Sequence, residues 1–114
     1  MPTLVLPASA SPLAQAKGSD LTNADVTITV AQGKWRKLPA TTLSAGHTVT
    51  LSTTGAVAGD QIEITRLDAT ANTYAVIDGG TGTPTLITFA VSKIGWCRCQ
   101  FDGTNWFLRA FGVQ

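Results

Sequence analysis

The stretch Gln61-Ile-Glu-Ile-Thr-Arg66 alternates apolar and polar side chains, and this alternation decides the fold class. Ile62 and Ile64 would lie on one face of a strand and the polar residues between them on the other, because successive side chains of a strand point to opposite faces. The Gly-Asp pair at 59–60 is a turn signal that starts the strand. The pattern predicts a half-buried β-strand.

The same period of two recurs along most of the chain. It occurs at 26–30, 48–51, 73–77, 86–91, 96–101 and 106–111, with turn-forming clusters at 68–72, 78–84 and 102–105. Among 114 residues there are 18 Thr but a single Glu, and charged residues make up only 13%, which favours strands over solvated helices. We therefore predict that residues 25–114 form one all-β domain, either an antiparallel β-sandwich or a jelly-roll-like barrel of about six to eight short strands.

Residues 1–24 differ from this domain because they are rich in Pro, Ala and Ser. Proline removes backbone donors and favours extended conformations, so the segment is predicted to be an extended N-terminal arm. Its apolar residues Leu4, Val5, Leu6 and Leu13 are candidate contacts with a partner. The alternative is a flexible terminus that binds nothing.

The last hairpin can be analysed by parity, because the loop at 102–105 has an even length and keeps the same faces together. One face would carry Cys97, Cys99, Phe101, Trp106, Leu108 and Ala110, which is an ordinary core face. The other would carry Trp96, Arg98, Gln100, Phe107, Arg109 and Phe111. Aromatic residues and arginines are enriched together at protein interfaces. We predict a subunit interface at Trp96, Arg98, Phe107, Arg109 and Phe111, unless a second sheet of the same chain covers that face.

Two further binding signals are present. Lys34, Trp35, Arg36 and Lys37 place three cations around an aromatic ring, which could meet an acidic partner surface or a phosphate backbone, or could be a solvated loop. The three tryptophans could instead form a sugar-stacking platform, but the parity argument already assigns Trp106 to the core.

Several function classes are not supported by the residues. The net charge of +1 provides no excess of positive charge for nucleic-acid binding. The single histidine, His47, has no evident triad partner, and Cys97 and Cys99 lack the usual zinc spacing. The start of the chain lacks the pattern of a secretory signal, and no stretch has the length of a membrane span. We therefore expect no enzyme activity, no metal or cofactor, no small-molecule substrate and no membrane partner.

Three motifs, Gly59–Arg66 (GDQIEITR), Ala71–Ile77 (ANTYAVI) and Phe101–Trp106 (FDGTNW), carry a family resemblance. With them the chain resembles β-modules of virion proteins of tailed bacteriophages, most of all capsid decoration (cement) proteins, and tail-fibre modules are similar. The resemblance covers roughly residues 45–111. It carries over no catalytic or receptor-binding residue.

The resemblance implies a non-enzymatic virion component that is usually trimeric. We expect a decoration protein that is made in the host cytoplasm, binds the exterior of the phage head and stabilises contacts between capsomers. Its partners would be the major capsid protein, contacted by the arm, and further copies of itself in a homotrimer. The alternatives are a tail-fibre or receptor-binding tip module that recognises host surface glycans, and a small head–tail connector component.

Overall fold

The computed structural model describes residues 17–40 and 43–114, which form eight strands and one short 3₁₀ helix, Val30–Gln32. The strands are β1 (Val26–Ile28), β2 (Trp35–Leu38), β3 (His47–Leu51), β4 (Gln61–Arg66), β5 (Tyr74–Asp78), β6 (Thr85–Phe89), β7 (Gly95–Phe101) and β8 (Trp106–Val113). The first sheet has the order β1-β3-β5-β6 and the second the order β2-β4-β7-β8. The inner faces of both sheets contribute to one hydrophobic core, so the predicted all-β sandwich is confirmed.

The strand pairing is mixed, whereas the sequence predicted an antiparallel sandwich. β1, β3 and β5 run parallel to one another, and β2 runs parallel to β4. The physical reason is that the first five strands alternate between the two sheets, so the chain returns to each sheet in its original direction. Antiparallel pairs occur later, in the β5–β6 and β7–β8 hairpins and where β7 joins β4.

The core is formed by every second residue of the strands. On β4, Ile62, Ile64 and Arg66 are fully buried, while the residues between them are half-buried on the opposite face. On β7, Cys97 and Cys99 are both fully buried and free, as the parity argument predicts. Their mutual hydrogen bond and burial raise the pKa of the Cys97 thiol, which keeps it protonated.

The segment before β1 packs against the second sheet. Lys17 forms a parallel bridge with Trp35, and the backbone N–H of Gly18 donates to the Trp35 carbonyl oxygen at 2.9 Å. The N–H of Leu21 donates to the carbonyl oxygen of Lys37, and the Leu21 side chain lies in the core. Part of the predicted arm, from residue 17 to residue 24, is thus associated with the β-domain. Its candidate contacts Leu4, Val5, Leu6 and Leu13 lie outside the described residues.

A β-bulge in β8 changes the predicted parity of the last hairpin. Pairing follows the prediction from Phe101 opposite Trp106 to Cys99 opposite Leu108, and then the register shifts. Beyond the shift, Ala110 lies opposite Arg98 and Phe111 lies opposite Cys97. The prediction of Ala110 on the core face and Phe111 on the outer face is therefore wrong, because one extra residue in β8 reverses the alternation relative to β7.

Candidate functional site

β2 separates the four residues of the predicted basic cluster. Arg36 points into the sandwich and is only 7% exposed, whereas Trp35 and Lys37 lie half-buried on the outer face. Lys34, just before the strand, pairs with Asp60 at 3.2 Å between Nζ and Oδ1. Because neighbouring residues of a strand point to opposite faces, the cluster does not form one basic patch.

The outer face of the second sheet carries several of the predicted interface residues. One row across its four strands consists of Trp35, Glu63, Arg98 and Ala110. The adjacent row consists of Lys37, Thr65, Trp96 and Gly112. Phe107 lies two rows away from Trp96's row, opposite Gln100. The predicted interface residues therefore divide into two groups rather than forming one patch.

The first group contains the predicted residues Trp96 and Arg98. Together with Glu63 and Thr65 of β4 they form what is here called the central site. These four side chains line a depression of about 300 Å³. Nη2 of Arg98 donates to Oε1 of Glu63 at 2.9 Å, and both side chains retain contact with solvent. The central site thus combines an exposed indole with an oriented ion pair and a hydroxyl group.

The second group, here called the β8 edge, consists of Phe107, Arg109, Phe111 and Val113. The three apolar side chains are 38%, 58% and 48% exposed, respectively. The Arg109 guanidinium donates to the side-chain oxygen of Gln100 on β7. β8 has eight residues and is the terminal strand of its sheet among the described residues. The β8 edge therefore exposes apolar side chains beside unpaired backbone groups.

The structure does not form a platform of three tryptophans. Trp106 is 2% exposed, donates from Nε1 to the Ser52 carbonyl oxygen at 3.1 Å, and packs against Phe101. Trp35 donates from Nε1 to Oγ1 of Thr65 at 3.3 Å and therefore borders the central site. Only Trp35 and Trp96 share the outer face.

His47 has an acidic neighbour that the sequence did not reveal. Its Nδ1 lies 2.9 Å from Oδ1 of Asp25, which also accepts the backbone N–H of Thr48. Nε2 of His47 is buried and has no hydrogen-bond partner in the described part of the chain, and the same holds for the hydroxyl of the neighbouring Tyr74. Burial raises the pKa of Tyr74. No nucleophile hydrogen-bonds to this His–Asp pair within those residues, so the pair lacks the arrangement of a triad.

Acid should destabilise the fold through carboxylates that accept hydrogen bonds. The N–H of Val57 and the Lys34 ammonium hold the pKa of Asp60 below its ordinary value of 3.8. Hydrogen bonds from His47 and Thr48 lower the pKa of Asp25 in the same way. A lowered folded-state pKa gives stability that is present above the unfolded-state pKa and is lost as pH falls through the folded one. We expect the urea midpoint to decrease as the pH falls below about 3.8.

The control for this acid dependence is Asp60→Asn, which should lower the urea midpoint at neutral pH and flatten its decrease in acid. A wild-type midpoint that stays constant through the acidic range would contradict the prediction.

Sequence analysis missed two residues of the central site, Glu63 and Thr65. Their position on the outer side of β4 was predicted, but their proximity to Trp96 and Arg98 depends on the pairing of β4 with β7. The available signal was that Glu63 is the only glutamate in the chain and lies on a strand rich in Ile and Thr.

No group of three His, Cys, Asp or Glu side chains within 17–40 and 43–114 could hold a metal ion. In the same part of the chain, no helix has the length and apolar character needed to cross a membrane.

Comparisons of this chain with protein-family models, with curated proteins and with solved structures found no match.

Proposed function

We propose that this chain is a non-enzymatic structural protein of a tailed-bacteriophage virion, of the capsid decoration type. In this proposal it binds the exterior of the head, contacts the major capsid protein and self-associates, as a trimer, through the β8 edge. The β8 edge is the observation that supports self-association, and the motifs at Gly59–Arg66, Ala71–Ile77 and Phe101–Trp106 support the virion assignment by resemblance.

The physical argument for self-association rests on what β8 exposes. An edge strand offers a row of backbone donors and acceptors to another chain. Phe107, Phe111 and Val113 add apolar area on both faces of that strand, and Arg109 adds a residue type enriched at interfaces. The bulge at Arg109 interrupts regular pairing, so side-chain packing would contribute more than a continuous backbone ladder.

The two edges of the second sheet leave room for both proposed partners. Lys17, the first described residue, pairs with β2 at one edge of the sheet, while β8 lies at the other. Lys17 therefore lies on the side of the sheet away from the β8 edge. Contacts of Leu4, Val5, Leu6 and Leu13 with a capsid protein would then be compatible with self-association through β8.

Copy number and location in purified virions test the virion assignment. Quantitative mass spectrometry and antibody labelling in electron microscopy should find many copies distributed over the head. A few copies confined to the tail would support the tail-fibre or connector alternatives, and absence from virions would overturn the assignment.

Replacing Phe107 and Phe111 together by Ser should weaken self-association about tenfold or more, because aromatic residues at the centre of an interface contribute most of its binding energy. Sedimentation velocity over a range of protein concentrations measures the effect. The matched control is Val57→Ser, which removes a side chain that is 65% exposed on a loop distant in sequence. A wild-type protein that remains monomeric at high concentration would refute the proposed interface.

A further inference from the structure

The central site has the composition of a site for a neutral, hydroxyl-rich ligand. Its depression of about 300 Å³ lies at the lower end of the range for small-molecule sites. We infer that the central site binds a pyranose ring of a glycan, with the Trp96 indole as the stacking surface and with Glu63, Thr65 and Arg98 as hydrogen-bond partners of the sugar hydroxyls.

The Trp96 indole is held in place by the backbone of the neighbouring strand. A Cβ atom at Gly112 would lie 2.6 Å from Nε1 and 3.1 Å from Cε2 of the indole, so the ring packs directly over this glycine. Trp96 is still 38% exposed. A sugar ring presents faces of C–H groups with partial positive charge, and the face of an aromatic ring carries the complementary negative quadrupole. A preplaced indole therefore offers a stacking surface at little entropic cost.

The polar groups beside the indole match hydroxyl groups better than they match an ion. The charges of Glu63 and Arg98 compensate each other at 2.9 Å, so the four lining residues carry no net charge, and the cation beside them is Lys37, next to Thr65 on β2. In the described residues the Glu63 carboxylate makes its one side-chain hydrogen bond through Oε1, which leaves Oε2 as an acceptor. Thr65 accepts a hydrogen bond from Trp35, which leaves its own O–H to donate. Sugar hydroxyls require both donors and acceptors, and the site provides both.

Space for a second sugar ring lies on the other side of Trp96. Trp96 and Thr65 also border a cleft of about 290 Å³, whose other walls include Leu67, Gly95 and Val113. This cleft is more apolar than the central site and suits a further C–H face. We therefore expect a disaccharide to bind more tightly than either of its monosaccharides.

The inference does not rest on the proposed virion function. None of the four residues that line the central site belongs to the β8 edge, although Val113 of that edge borders the adjacent cleft. The central site would therefore be usable in a protein of the head, of the tail or of neither. Oligomeric state and copy number test the virion proposal, whereas glycan binding is tested on the full-length purified chain alone.

The experiment is a titration of the ¹⁵N-labelled protein with methyl glycosides of glucose, galactose and N-acetylglucosamine and with their β-linked disaccharides. Trp96 should be the indole N–H whose NMR signal shifts most, while the buried Trp106 should not respond. Trp96→Ala should weaken binding about tenfold, and Trp96→Phe should retain part of it. Glu63→Gln should also weaken binding. Val57→Ala, which truncates an apolar side chain that is 65% exposed and lines neither the central site nor the adjacent cleft, is the control and should bind like the wild type.

Two results would overturn the inference. The first is that none of these sugars shifts the Trp96 signal in a protein whose spectrum is that of the folded chain. The second is that Trp96→Ala, Trp96→Phe and the control Val57→Ala all bind sugar as the wild type does, which would place any binding elsewhere. If Trp96→Ala does not fold, Trp96→Phe and Glu63→Gln decide the matter by the same titration.

Discussion

Arg66→Met is expected to lower the free energy of unfolding by about 3–5 kcal/mol, the largest effect of any substitution considered for this protein. Arg66 ends β4 and is fully buried between the sheets. Its terminal nitrogens donate to four backbone carbonyl oxygens, those of Phe89, Ala90, Thr70 and Asn72. Nη2 also lies 3.5 Å from Oδ2 of Asp68, a residue that is itself 1% exposed.

The expected loss is large because methionine fills the volume but offers no donors. The Asp68 carboxylate would remain buried without the cation that compensates its charge, which is costly, although it keeps the hydrogen bond from the Thr70 hydroxyl. The carbonyl oxygens of Phe89 and Asn72 would lose the Arg66 donor, while those of Thr70 and Ala90 still accept the N–H groups of Ser92 and Lys93. Arg66→Lys should retain the charge but serve fewer acceptors, so its loss should be smaller than that of Arg66→Met.

Chemical denaturation monitored by tryptophan fluorescence measures this effect. The matched control is Arg98→Met, which breaks the partly exposed ion pair with Glu63. It should lower the free energy of unfolding by about 1 kcal/mol or less. Equal losses for the two substitutions would show that the carbonyl contacts of Arg66 do not stabilise the fold.

Asp78→Ala is expected to lower the free energy of unfolding by about 3 kcal/mol. The reason is again the loss of a buried polar group, here at the other end of the sandwich. Asp78 ends β5 and is fully buried. Its Oδ1 accepts the backbone N–H groups of Gly80 at 2.8 Å and Trp106 at 3.0 Å, and its Oδ2 accepts the side-chain amide of Asn105. One carboxylate thus connects the loop after β5 to the turn that starts β8.

Alanine at position 78 would leave two backbone N–H groups and one amide without their acceptor. Asp78→Asn should recover part of the loss, because its amide oxygen can still accept from the backbone while its NH₂ group would face the amide of Asn105. The matched control is Asp102→Ala, in the exposed turn of the same hairpin, where the carboxylate accepts the N–H groups of Thr104 and Asn105. That substitution should lower the free energy of unfolding much less than Asp78→Ala does, and an equal or greater loss there would contradict the role assigned to Asp78.

Seven of the eight described strands, and the faces of most of their residues, followed from local pattern; β2, whose Trp35–Leu38 segment was interpreted only as a basic cluster or a loop, did not. The alternation around Ile62 and Ile64 predicted the buried side of β4, and the even loop at 102–105 predicted that Phe101 and Trp106 share the core face. Both predictions are confirmed because the alternation of side chains is a property of a single strand and its nearest turn. The buried thiols of Cys97 and Cys99 followed from the same alternation.

The candidate sites depended on the tertiary structure. No local pattern shows that Arg98 pairs with Glu63, 35 residues earlier, or that Gly112 lies beneath Trp96. The bulge in β8 likewise reversed the predicted face of Phe111 and separated it from Trp96.

The sequence by itself thus determined that this protein is an all-β domain, where seven of the eight described strands lie and which residues of most of them are buried. Only the tertiary structure decided the parallel pairing of β1, β3 and β5, the positions of the central site and the β8 edge, and the buried partners of Arg66 and Asp78. The physical reason is that side-chain alternation is set within one strand. Strand partners, register shifts and buried polar contacts join residues far apart in the chain and are selected by the packing of the whole domain.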